Sequence, residues 1–262
     1  MRKLVGPSVL TPEKELGLLA RVNKEKFAAV KVDGGNSVLI TPHGELPAGL
    51  YLDPSGPHAI EVDHKALTAT KSDTPLTGAQ LAAIQGGAAI REAIDREMQS
   101  YCQQYVPGST CTTYGTSGAG IKVVCCLSTR LAELSNYWAG MWISEWTLEV
   151  PMGGSIGTLT GKVSIHVHYF EDGNVQLDDK VVFQSECPAS ADQVGGAFAK
   201  KVRESESGLM AKLEETYTNM SDNVLQGLRR RLPITKTKFD WDRAAVAKLA
   251  QDLQTAAGLN VS

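Results

Sequence analysis

The chain has 262 residues, a formal charge of −3, 42% hydrophobic and 21% charged residues, a balance that supports a normal core in one large domain or two small ones. It points to a soluble globular protein, and no stretch of the sequence approaches the roughly 18 consecutive apolar residues of a membrane span. The five cysteines, Cys102, Cys111, Cys125, Cys126 and Cys187, are odd in number and lack any C-x-x-C spacing, which fits reduced thiols in a cytosolic protein. At the amino end, Gly6, Pro7, Thr11, Pro12 and Glu13 cut the apolar run too short for a signal peptide.

Thr11-Pro12-Glu13 marks a helix start, with a capping hydroxyl followed by proline at the first helical position, and Leu16, Leu19 and Val22 recur at helical spacing. From Val30 to Thr70 the apolar residues come in short clusters, Val38-Leu39-Ile40, Leu50-Tyr51-Leu52 and Ala59-Ile60-Glu61-Val62. Turn formers separate them, so short strands are expected. A second helix is predicted from Leu81, Ile84, Ala88, Ile94, Met98, Tyr101 and Tyr105, closed by Pro107-Gly108 and weakened at Gly86-Gly87.

The middle third reads as an antiparallel meander. Trp142, Ser144, Trp146, Leu148 and Val150 alternate with Ile143, Glu145, Thr147 and Glu149, and Val163, Ile165, Val167 and Tyr169 alternate with Ser164, His166, His168 and Phe170. Glu171-Asp172-Gly173-Asn174 has the composition of a hairpin turn. With Cys111 to Thr116, Ile121 to Leu127 and Val175 to Phe183, about five consecutive strands are expected. A long helix follows. Ser190-Ala191-Asp192-Gln193 fits a capping box, and Val194, Phe198, Val202, Leu209, Leu213 and Tyr217 form one stripe over about 28 residues, roughly 40 Å. Ser221 then caps a shorter helix through Val224, Leu225 and Leu228, which Leu232-Pro233 stops.

The resulting fold class is α+β: a five-stranded antiparallel sheet covered by a long C-terminal helix, with a small N-terminal helix and a short-strand region. The boundaries expected from these breaks are 1–29 for a helical segment, 30–109 for short strands plus helix, 110–184 for the sheet, 185–219 for the long helix and 220–262 for a basic segment and tail.

Signals for chemistry fail in context. Gly115-Thr116-Ser117-Gly118-Ala119-Gly120 joins two strands and opens no helix, so it is neither a phosphate loop nor a protease motif but a hairpin turn. His166 and His168 share a strand face, yet no third ligand stands at recognisable spacing. Cys125 and Cys126 point to opposite faces of one strand and read as buried free thiols. The run of Trp138, Trp142 and Trp146 reads as core or subunit interface, because no basic residue lies between Arg130 and Lys162 to make a nucleic-acid stacking surface. No catalytic residue, metal ligand or cofactor is predicted.

Charge gathers at one place. Positions 229 to 238 carry five basic residues and no acid within a net acidic chain, which calls for an acidic partner. Three ordered stretches carry a resemblance: Trp138 with Gly140, Trp142 and Ser144-Glu145-Trp146; His168-Tyr169-Phe170-Glu171-Asp172-Gly173-Asn174-Val175-Gln176-Leu177; and Leu228-Arg229-Arg230-Arg231-Leu232-Pro233-Ile234-Thr235-Lys236-Thr237-Lys238-Phe239-Asp240-Trp241. Together they closely resemble the F-actin-capping protein alpha subunit. Val38 to Leu46 and Tyr51-Leu52-Asp53-Pro54 look like the same family, so the likeness spans about Phe27 to Trp241.

The resemblance implies a non-enzymatic subunit that pairs with a similar beta subunit, or with a second copy of itself, the two sheets joining into one. The dimer would bind the barbed end of an actin filament in the cytoplasm and block gain and loss of monomers. It implies a mobile carboxyl-terminal arm as the actin-binding element. Arg230 and Lys236 match basic positions that engage actin, with Arg229, Arg231 and Lys238 beside them. Lys236 stands where the family usually has arginine, and a third basic position falls on Gln226. Phosphoinositides are a further partner implied for the basic segment; nucleic acid is not. Beyond Asp240, Trp241, Ala245, Leu249 and Leu253 recur at i+4 and would dock in a hydrophobic cleft on actin. Members of the family carry a helix bundle before the position of Val30, where the 29 residues present suffice for about one helix. Two other readings stand beside this one: an end-cap subunit on an actin-related filament in a dynein-adaptor complex, and a basic-helix binder of nucleic acid or a membrane surface.

Overall fold

The computed structural model describes residues 11–219, apart from 34, 55, 57, 79, 81–86, 134, 136 and 171–174. Helix α1 runs Pro12–Glu25. Thr11 caps it in an extended conformation, its hydroxyl accepting the Lys14 N–H at 3.4 Å, so the proline sits where a missing N–H costs nothing. The expected apolar stripe is not what this helix buries: Leu16 and Val22 are exposed, and the buried residue is Asn23. Its amide donates to the His64 carbonyl at 2.8 Å, which ties α1 to the turn after the fourth strand.

Five short strands form the first sheet: β1 Ala29–Val32, β2 Ser37–Leu39, β3 Leu50–Leu52, β4 His58–Asp63 and β5 Thr68–Pro75. Their spatial order is β2-β1-β5-β4-β3, with β1 and β5 parallel and the other pairs antiparallel. The second sheet is the expected meander, β6 Thr110–Ser117, β7 Gly120–Glu133, β8 Trp138–Pro151, β9 Ile156–Tyr169 and β10 Val175–Pro188, in the order β10-β9-β8-β7-β6 and antiparallel throughout. The last four strands are 14 residues each, longer than the apolar alternation alone marks out.

Helix α2 spans Ala88–Tyr105. It starts at the glycine pair: Gly87 takes a left-handed φ of 66° that a side chain would strain, and a methyl group there would run into Ile121. Leu81 and Ile84 of the expected stripe lie outside the described residues. Helix α3 runs Val194–Asn219, 26 residues. It begins four residues after the expected cap, because Ala191 to Gln193 form a turn in which the Ser190 carbonyl accepts the N–H groups of both Gln193 and Val194. Tyr217's side chain, the Glu171 to Asn174 hairpin and the helix expected after Ser221 also lie outside the described residues.

The second sheet is the middle layer. On one face α2 and α3 pack side by side, burying Ile94 and Met98 with Val194, Phe198 and Val202 against Cys125, Leu127, Trp146 and Leu159. Gly195 allows that approach, since a Cβ there would meet the Ala93 carbonyl at 2.5 Å. On the other face the first sheet docks, burying Phe27, Leu39, Leu52, Ala59 and Leu76 against Tyr114, Val124, Cys126 and Ile143. Adjacent residues Cys125 and Cys126 thus serve two different cores, as strand alternation requires.

Candidate functional site: an open sheet edge beside the long helix

The two edges of the second sheet differ in kind. Strand β6 is closed over: Cys111 to Gly115 are all buried, and β2 lies against it, the Leu39 N–H donating to Thr112 Oγ1 at 3.0 Å while the Tyr114 hydroxyl donates to the Leu39 carbonyl at 3.2 Å. Strand β10 pairs with β9 along its whole length, and among the described residues no strand pairs with its other edge. A 14-residue strand with no neighbour on its outer side is a template for another strand. Its side chains carry the same message. Leu177, Val181 and Phe183 point towards α3 but are only partly covered, and Val182, on the opposite face, is 68% exposed. Between β10 and α3 runs a groove of about 440 Å³ lined by Val181, Phe183, Leu209 and Leu213, with Asp179, Glu204 and Lys212 at its sides.

Helix α3 is fixed above this edge by one buried carboxylate. Glu206 lies in the apolar stripe and is 5% exposed. Its Oε2 accepts the Tyr101 hydroxyl of α2 at 2.8 Å and its Oε1 accepts Trp146 Nε1 of β8 at 3.2 Å. Trp142 Nε1 and Ser144 Oγ also face the carboxyl group and favour its charged form, although neither makes a hydrogen bond of ordinary geometry. Burial outweighs these donors and pushes the Glu206 carboxyl above the usual carboxylate range. The same burial, with the neighbouring carboxylate, raises the Tyr101 hydroxyl, which therefore stays a donor. A turn earlier, the Arg203 guanidinium stacks 4.1 Å from the Tyr105 ring centre, and below, the Trp146 and Phe183 rings stack with centroids 5.8 Å apart. One residue thus locks α3, α2 and β8 together.

Every residue expected to touch the partner filament, Arg229, Arg230, Arg231, Lys236, Lys238, Trp241, Leu249 and Leu253, lies outside the described residues, as does Gln226. What the structure gives is their platform: α3 carries the chain to Asn219 along the outer strands of the sheet. The discounted signals have plain structural roles. Ser117 to Gly120 is a hairpin turn, with the Gly118 N–H donating to the Gly120 carbonyl at 2.9 Å. His166 lies 2.7 Å from Asp178 across the β9–β10 pair, and His168 packs on Phe170. Trp142 and Trp146 are core residues; the Trp138 side chain is not among those described. Sequence reasoning missed Glu206, and its signal was an acid at i+4 from Val202 and i−3 from Leu209, inside the apolar stripe.

A family model described as F-actin capping protein alpha subunit matches residues 1–252. The chain belongs to that family. The F-actin-capping protein subunit alpha of Dictyostelium discoideum is 34% identical over 233 residues, covering 88% of this chain and 81% of that protein. The subunits of the same name from Caenorhabditis elegans and Arabidopsis thaliana are each 29% identical, over 97% and 86% of this chain and 89% and 75% of theirs. Among solved structures, the homodimeric actin capping protein alpha subunit from Plasmodium berghei superposes with a TM-score of 0.67 at 17% identity, covering 89% of this chain and 88% of that one. The capping-protein fold of sheet, crossing helix and short-strand region expected above is therefore the fold of this alpha subunit.

Proposed function

We propose that this chain is the alpha half of a dimer that caps the barbed end of actin filaments, binding without catalysis in the cytoplasmic actin cytoskeleton. The observation that carries the reading is the extent of the family match, which runs through the basic segment and into the tail as far as residue 252. The open β10 edge supports the pairing, with either a beta subunit or a second copy as occupant. Arg229, Arg230, Arg231, Lys236 and Lys238 would steer the arm onto acidic actin, an attraction screened over a Debye length of about 8 Å. Trp241, Leu249 and Leu253 would then dock, the two leucines contributing roughly 1.5–3 kcal/mol each before ordering costs.

The test is elongation of actin from barbed-end seeds in the presence of the purified dimer. Three forms are compared: intact, with Arg230→Glu and Lys236→Glu together, and truncated after Asp240. Inhibition by the intact dimer that weakens with salt and with each change is expected. Unimpeded elongation with the intact dimer would sink the capping reading, and full inhibition after both changes would place the actin contact elsewhere. Copurification with a second polypeptide, or a dimer of one species, identifies the occupant of the β10 edge.

A further inference from the structure

We propose that His43, Cys126 and Glu145 form a binding site for a divalent metal ion of the zinc type, at the junction of the two sheets. Cys126 of β7 and Glu145 of β8 are directly opposed in the strand register, so both side chains stand on the face that meets the first sheet. His43 reaches them from the turn after β2, its Nε2 lying 3.0 Å from Glu145 Oε2. One ligand atom from each of the three, imidazole nitrogen, thiol sulfur and carboxylate oxygen, lies within 4.8 Å of the others. In a tetrahedral zinc site, bonds of about 2.0–2.3 Å place neighbouring donors roughly 3.3–3.8 Å apart. The separations here, 3.0 Å between His43 and Glu145 and no more than 4.8 Å for any pair, lie near that spacing.

The histidine is held in place before any ion arrives. The Gly44 N–H donates to Thr41 Oγ1 at 3.3 Å, and the Leu52 N–H donates to the Gly44 carbonyl at 2.7 Å. A Cβ at Gly44 would meet the Tyr114 hydroxyl at 2.7 Å, so the turn is pressed against the second sheet. The donor set suits a borderline ion: thiolate and imidazole favour zinc-type ions over magnesium or calcium, which take oxygen ligands. The charges also close. On binding, the Cys126 thiol gives its proton to solvent as the sulfur–metal bond forms, and thiolate plus carboxylate neutralise a 2+ ion, leaving no unpaired buried charge. Lys162, opposite Glu145 on β9, lies 3.4 Å from the other carboxylate oxygen, Oε1, and stays there while Oε2 ligates. The His43 and Glu145 side chains are 30% and 20% exposed, which gives the ion an entry path and a fourth position for water.

The test uses the full chain with its partner subunit, stripped by chelator and titrated with Co2+ and then Zn2+. One equivalent of Co2+ should produce a thiolate-to-cobalt charge-transfer band that Zn2+ abolishes. The band should survive Cys125→Ser, whose side chain faces the other core, and vanish in Cys126→Ser. His43→Gln, on a partly exposed turn, should keep the fold and weaken Co2+ at least about tenfold. A missing band, a band that survives Cys126→Ser, or unchanged affinity in His43→Gln would each overturn the site. If Cys126→Ser fails to fold, the His43 variant decides.

Discussion

Replacing Glu206 with alanine should be among the most destabilising single changes outside the apolar core. The side chain is 5% exposed, and its loss leaves two buried donors, the Tyr101 hydroxyl and Trp146 Nε1, with no acceptor. Each orphaned donor costs roughly 1–3 kcal/mol, so Glu206→Ala should lose about 2–6 kcal/mol in denaturant melts of the purified dimer. Glu206→Gln keeps an acceptor, removes the ionisable group and separates packing from charge. Burial raises the folded-state pKa of Glu206 above its unfolded value. The stabilisation this group provides is therefore complete below the unfolded value and is lost as pH rises through the folded one. The stability advantage of wild type over Glu206→Gln should shrink from acidic to neutral pH. An alanine loss under 1 kcal/mol, or an advantage that grows with pH, would refute the assignment of Glu206 as the buried lock of α3.

Three further outcomes follow from the geometry. A methyl group at Gly161 would enter the Trp146 ring, so Gly161→Ala should cost about 1–3 kcal/mol in the same melts, and a neutral result would mean the β8–β9 pairing there is looser than described. Val181→Asp places a charge in the half-covered strip of β10; sedimentation should show the dimer weakened at least about tenfold, with unchanged helical and strand signals by circular dichroism. Asp63 accepts the N–H groups of Lys65 and Ala66 at 2.8 and 3.0 Å, which hold its carboxyl below the ordinary value. Its contribution is present above that ordinary value and lost as pH falls through the lowered one. Carboxyl titration by NMR should find Asp63 below the usual aspartate range, and a midpoint within or above that range would contradict the turn.

Much of the second sheet was legible because alternation marks its strands: Val163 to Tyr169 alternate throughout, and Trp142 to Val150 do so except at Ile143-Ser144, where Ile143 is buried against the first sheet. Strand ends were harder. The reach of β7 past Leu127 through Ser128, Thr129 and Arg130 rests on backbone pairing with β8, which leaves no apolar mark. Strand β5 was not singled out for the same reason: Thr68-Ala69-Thr70-Lys71-Ser72-Asp73-Thr74-Pro75 buries one apolar residue, Ala69, and owes its conformation to neighbours β1 and β4. The parallel β1–β5 pairing is a long-range fact that no local pattern encodes. Glu206 was invisible because an acid in a long helix ordinarily faces water; only its place in the stripe and the indole and phenol groups opposite give it away. The junction of His43, Cys126 and Glu145 needs three separate segments to meet, so spacing along the chain carries no trace of it.

The inequality of the two sheet edges sets the arithmetic of assembly. A sheet that is open on both sides accepts a neighbour on each and grows without limit. Here β2 lies against β6, whereas β10, among the described residues, has no strand on its outer side. Two such chains, or one chain and a similar partner, that meet through this edge cover that side of each. The joined sheet then ends in a sealed strand at this chain's far side, and the complex stops at two subunits instead of propagating as a fibre.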